Sequence, residues 1–135
     1  MKLNLKWIVG VLLLVGLASC RMAQIQNIEN APVAYQPGVE ITLGQIEKAI
    51  MRGGVSRGWV MSPAGPGHLI GTLHLRSHVA VVDITFDTKT YSIKYKDSTN
   101  LHYSKDSDGT EHIHSNFVSW IQNLKKSINR ELLML

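Results

Sequence analysis

The chain has 135 residues, 44% of them hydrophobic and 18% charged, with a formal net charge of +4. That balance excludes a disordered chain and leaves room for a single domain. It also argues against a nucleic-acid partner. Lys2 and Lys6 precede the first apolar run, and without them fourteen basic residues become twelve against ten acidic, a net of +2 with no block of like charges.

The first six residues are short and basic, and residues 7–17 form an uncharged run of Trp, Ile, Val, Leu and Gly. Small residues then lead to Cys20, the only cysteine. A basic start, a short apolar stretch and a small-residue cleavage site predict a secretory signal peptide over residues 1–19. The run is too short for a membrane span, which needs about 20 apolar residues.

Leu17-Ala18-Ser19-Cys20 resembles the lipobox of bacterial lipoproteins. The resemblance implies that the signal is removed, that Cys20 becomes the new N-terminus, and that it carries lipid, palmitate included. Two or three acyl chains, at about 0.8 kcal/mol per buried CH₂, would hold such a protein firmly on a membrane. In Gram-negative members an Asp after the cysteine favours the inner membrane. Here Arg21 stands there, which implies the outer membrane, facing the periplasm. With one cysteine, no internal disulfide can form.

Residues 21–40 hold two prolines and scattered apolar positions without a period, and are expected to be a tether. A coil of that length spans about 25 Å. Part of it, over residues 31–39, could instead pack on the domain as an extended strand. The domain is expected over residues 41–135. Thr42 and Gln45 form a capping-box pattern, Leu43, Ile46, Ala49 and Ile50 recur at helical spacing, and Gly53-Gly54 is expected to end that helix.

Four strands are expected next, beginning near residues 58–62, 68–76, 78–86 and 91–96. Leu69, Leu73 and Leu75 alternate with His68, Ile70, Thr72 and His74. Ala80, Val82, Ile84 and Phe86 share one face of the third strand, and Tyr91, Ile93 and Tyr95 one face of the fourth. Period-2 alternation with short connections predicts a four-stranded antiparallel meander. The polar stretch 97–112 reads as turns. From Ile113 onward, Phe117, Trp120, Ile121, Leu124 and Ile128 lie at steps of three and four, an amphipathic helix with Ser115 as its expected N-cap. The expected fold class is α+β in two layers, helix-β-β-β-β-helix.

Six histidines invite a metal reading. His74 and His78 flank a turn and are expected to face each other, while His112 and His114 form an H-x-H before the last helix. With no second cysteine, zinc would need histidine with carboxylates, and these spacings match no established site. The six residues 106–111 read as a turn rather than a calcium loop. Ser98 or Ser104 with a histidine and an aspartate are the candidate nucleophile sets, yet no G-x-S-x-G turn or phosphate loop is present, so no enzyme is expected and no cofactor is called for. Arg52, Arg57 and Arg76 are candidates for an anion patch. Trp59 and Trp120 are expected as core anchors; Trp59 with Arg76 is the candidate partner surface.

Asn100-Leu101-His102-Tyr103, and the segment running from Ile113-His114-Ser115-Asn116-Phe117 through Trp120 to Leu124, extend the likeness. The domain resembles small bacterial lipoproteins of unknown function that carry an N-L-x-Y element and an I-H-x-N-aromatic-x-x-W helix after a β-meander. The resemblance spans residues 44–124, with Phe117 where a tyrosine is expected, and implies no activity or catalytic residue. His114 and Asn116 are expected to satisfy backbone groups at the helix start. The combined expectation is a lipid-anchored envelope protein that binds an envelope protein, cell wall or small ligand without catalysis. A periplasmic metal-binding module using His74, His78, His112 or His114 is the alternative.

Overall fold

The structure is a computed structural model that describes residues 21–135; the expected signal segment and Cys20 lie outside the described residues. The fold is α+β. Strands β1 (Met22–Gln24) and β2 (Ile28–Pro32) come first, then helix α1 (Leu43–Val55). β3 (Trp59–Gly65), β4 (His68–Leu75), β5 (His78–Phe86) and β6 (Thr90–Thr99) follow, then β7 (Ser104–Lys105), β8 (Glu111–His114) and helix α2 (Ser115–Leu133). All strand pairs are antiparallel, in a five-stranded sheet ordered β2-β6-β5-β4-β3 and a three-stranded sheet ordered β1-β8-β7. No described helix is long and apolar enough to cross a membrane.

The meander β3 to β6 follows the alternation in the sequence. Leu69, Leu73, Ala80, Val82, Ile84, Phe86, Tyr91 and Ile93 are buried on one face, and both helices cover that face. From α1 come Ile46, Ala49 and Ile50; from α2 come Phe117, Ile121, Leu124, Ile128 and Leu132. The capping box forms at Thr42 and Gln45, whose side chains each accept the other's backbone N–H.

The expected tether is replaced, over residues 22–33, by structure. β1 pairs with β8, and β2 adds a fifth strand beside β6. Ala31 and Val33 are buried there, and the Asn30 N–H donates to Ser92 Oγ, which explains why Ser92 is buried on the side expected to be solvated. The sheet therefore has five strands rather than four. The stretch 97–112 also holds the end of β6, β7, the first two residues of β8 and the buried Leu101. Its turn is closed by Asp106 N–H to Thr110 O and by Thr110 N–H to Asp108 Oδ1.

Two helix boundaries differ from expectation. Gly53 and Gly54 do not end α1; both are buried within it, where they admit α2 and Met61. The N-cap of α2 is His114, not Ser115: His114 Nδ1 accepts the Asn116 N–H at 3.1 Å. Ile113 belongs to β8, still buried. Tyr95 of β6 packs against the segment before β7 and against α2, stacking on Tyr103 at 4.6 Å between centroids and meeting Phe117 edge-on at 5.7 Å.

Candidate functional site

The candidate metal ligands do not come together. Leu75 pairs with His78 and His74 with Val79, so His78 shares the inner face of Leu73 and Ala80 while His74 stands on the outer face. The expected facing pair is thus split by the pleat, because a four-residue separation across this turn places the two side chains on opposite sides. His112 Nε2 bonds Asp106 Oδ2 at 2.9 Å, and His114 caps α2. Among the described residues no three His, Cys, Asp or Glu side chains form a group that could hold a metal ion.

The nucleophile sets fare similarly. Ser98 Oγ is bonded to the Tyr95 hydroxyl at 2.8 Å. Ser104 lies opposite His112 in the β7–β8 register, and His112 reaches Asp106, so a serine, a histidine and an aspartate are neighbours. Among the described residues Ser104 makes no hydrogen bond to that imidazole. The serine and the aspartate are exposed, and neither lines either of the two recesses described below.

The arginines of the expected anion patch are dispersed. Arg52 pairs with Glu131 at 3.0 Å, Arg57 Nε donates to Ser127 Oγ at 2.7 Å, and Arg76 sits exposed in the β4–β5 turn. Trp59 is buried at 3% exposure, so it and Arg76 do not form one exposed surface.

What the fold assembles instead is a recess of about 180 Å³ lined by Arg57, Trp59, Leu73, Trp120 and Asn123. Trp59 and Leu73 are register partners on β3 and β4 and form its floor. Trp120 and Asn123, three apart on α2, lie on one side of that helix and supply a wall. Arg57 comes from the turn after α1, with its Nε held by the buried Ser127. Its terminal nitrogens use no protein acceptor among the described residues. Trp120 is backed by His78, 6.4 Å away between ring centroids, and His78 Nδ1 donates to the Asn100 carbonyl.

Two indoles with a guanidinium and a carboxamide suit a planar or apolar body bearing an anionic or hydrogen-bonding group. The volume is below that of a drug-sized site, so it takes a side chain or one ring of a larger molecule. Trp59 and Trp120 were legible as large apolar anchors; Asn123, on the polar side of the helix pattern, carried no signal.

A second, larger recess of about 240 Å³ lies at the other end of the sheet, lined by Asn30, Gly67, Asp87, Ser92 and their neighbours. Two of its polar side chains, Asp87 and Ser92, already accept backbone N–H groups. Asp87 Oδ1 accepts the Lys89 and Thr90 N–H groups, which hold that carboxyl below its ordinary value, and Ser92 accepts from Asn30. The smaller recess is the better ligand site because its guanidinium and indoles are only partly used.

No model of a known protein family, no curated protein and no solved structure matches this chain.

Proposed function

We propose that this chain is a lipid-anchored protein of the bacterial envelope, held by acylated Cys20 at the outer membrane on its periplasmic side, and that its domain binds an envelope ligand without catalysis. The anchor rests on the lipobox-like segment ending at Cys20. The binding role rests on one observation: Trp59, Trp120, Arg57 and Asn123 converge on a single recess between helix and sheet. A cell-wall fragment meets its chemistry, with a sugar ring or apolar side chain against the indoles and a carboxylate at Arg57.

Intrinsic fluorescence tests the binding role. Trp7 precedes Cys20, so a processed chain keeps only Trp59 and Trp120, and both line the recess. Titrating soluble muropeptides is expected to shift the emission saturably, and Trp120→Ala or Arg57→Ala to weaken the response at least tenfold. Unchanged emission across the titration, with the fold intact by circular dichroism, overturns it. Membrane fractionation of Cys20→Ser tests the anchor separately: the variant is expected to leave the membrane fraction.

A further inference from the structure

Arg21 is the first described residue, and it is already part of the fold: its carbonyl accepts the Ser115 N–H at 2.7 Å, and Met22 pairs with His114. Cys20 is its covalent neighbour, so one residue of reach, about 3.5 Å, separates the anchor position from the domain. A 20-residue tether would allow any orientation; a one-residue connection does not.

The end of the molecule beside Arg21 is knit by hydrogen bonds in series. Leu101 O accepts from His114 N–H, Asn100 O from His78 Nδ1, and Ser77 O from Asn100 Nδ2. These bonds bring the β4–β5 turn to the same end as the start of α2. Three of the four described non-glycine residues with positive φ lie in this region: Arg76, Asn100 and His102. Such backbone persists only where the surroundings hold it, and it clusters at working surfaces.

The chemistry of this end is one-sided. Residues 21–23, 75–79, 99–104 and 113–120 contain no Asp or Glu, while they carry the two guanidinium groups of Arg21 and Arg76. Met22 and Leu75 are large apolar side chains left 46% and 44% exposed there. Cations interspersed with exposed apolar groups fit an anionic lipid surface, where each arginine changes partitioning about fivefold.

We infer that the domain docks directly on the phospholipid headgroups through this end, with Arg21, Met22, Leu75 and Arg76 against the bilayer and the Trp59/Trp120 recess held close to the membrane. The inference rests on the anchored reading above and specifies its geometry. The β5–β6 turn then points away, about 30 Å further out along β5.

Acylation of Cys20 leaves an introduced cysteine as the sole thiol, which makes labelling specific. Ser77→Cys and Lys89→Cys, in opposite turns, are each labelled with a fluorophore on the acylated protein and reconstituted into phosphatidylcholine vesicles with or without phosphatidylglycerol. Energy transfer to a headgroup acceptor is expected to be several-fold greater from position 77. A flexible 20-residue Gly/Ser insertion after Cys20 is expected to abolish that difference on neutral vesicles and preserve it on anionic ones. Adding Arg21→Ala and Arg76→Ala to the insertion is expected to abolish it there too. Equal transfer from 77 and 89 without the insertion overturns the docking while the anchor stands. Loss of the difference on anionic vesicles with the insertion overturns the electrostatic part. An intact mass showing unmodified Cys20 in the membrane-free fraction overturns the anchor, and the docking with it.

Discussion

Gly53 of α1 lies directly against the backbone of Ile128 in α2: a Cβ placed on Gly53 would sit 2.8 Å from both the Cα and the amide nitrogen of Ile128. The neighbour is main chain, which cannot rotate aside, so this glycine sets the separation of the two helices that cover the sheet. Gly53→Ala gains up to about 1 kcal/mol of helix propensity but forces the helices apart, at a cost of about 1–3 kcal/mol or more. A net loss of stability in urea unfolding is expected. Gly44→Ala on the same helix meets nothing nearer than Thr42 Oγ1 at 4.0 Å, and is expected to stabilise by up to about 1 kcal/mol. Opposite signs for the two substitutions are the check.

His114→Ala removes the acceptor for the Asn116 N–H. The expected loss is about 1 kcal/mol, a fall in melting temperature of about 4 °C, with most of it restored by His114→Asp or His114→Ser. Equal melting temperatures for His114→Ala and the parent would show that the cap contributes nothing.

Tyr91 and Asp87 give stability opposite pH limits. Burial pushes the Tyr91 hydroxyl up to about 12, and it donates to Asn129 Oδ1. The folded chain therefore holds that proton more tightly than the unfolded one, so its contribution is complete below pH 10 and is lost as pH rises from 10 towards 12. Tyr91→Phe is expected to cost about 1 kcal/mol at neutral pH and to flatten the alkaline fall. Asp87 is held below its ordinary 3.8 by the Thr90 and Lys89 N–H groups, so its contribution is present above that value and lost as pH drops through the lowered one. Asp87→Asn keeps an acceptor without a titrating proton and is expected to reduce the acid dependence in a melting-temperature series.

Replacing residues 22–33 by an equal length of Gly and Ser tests whether this stretch is a spacer or part of the domain. The replacement exposes surface now covered by Ala31, Val33 and the half-buried Ile28, and strips one edge of β6. A loss of about 3 kcal/mol or more is expected, with faster amide exchange along β6. An unchanged unfolding midpoint would return the stretch to the role of a tether.

The residues show why part of this was legible. In β4, β5 and β6 the alternation of Leu69, Leu73, Ala80, Val82, Ile84 and Tyr91 with polar neighbours records which side is buried, and Thr42 with Gln45 records a helix start; both are local signals. β2 was not legible because only Ala31 among its five residues is buried, and its strand character comes from β6. The glycine pair looked like a stop because a helix-ending glycine and one that admits a neighbouring helix read alike in one dimension.

The sequence by itself determined the α+β class, the faces of the central strands and the amphipathic last helix, since each is written in residues adjacent along the chain or one turn apart. Tertiary structure alone decided the rest. It separated His74 from His78 by the pleat, brought Arg57 and Trp59, Leu73, and Trp120 with Asn123 around one recess from three places in the chain, and joined Arg21 to the start of α2. Those are contacts between distant segments, fixed by strand register and helix packing rather than by local pattern.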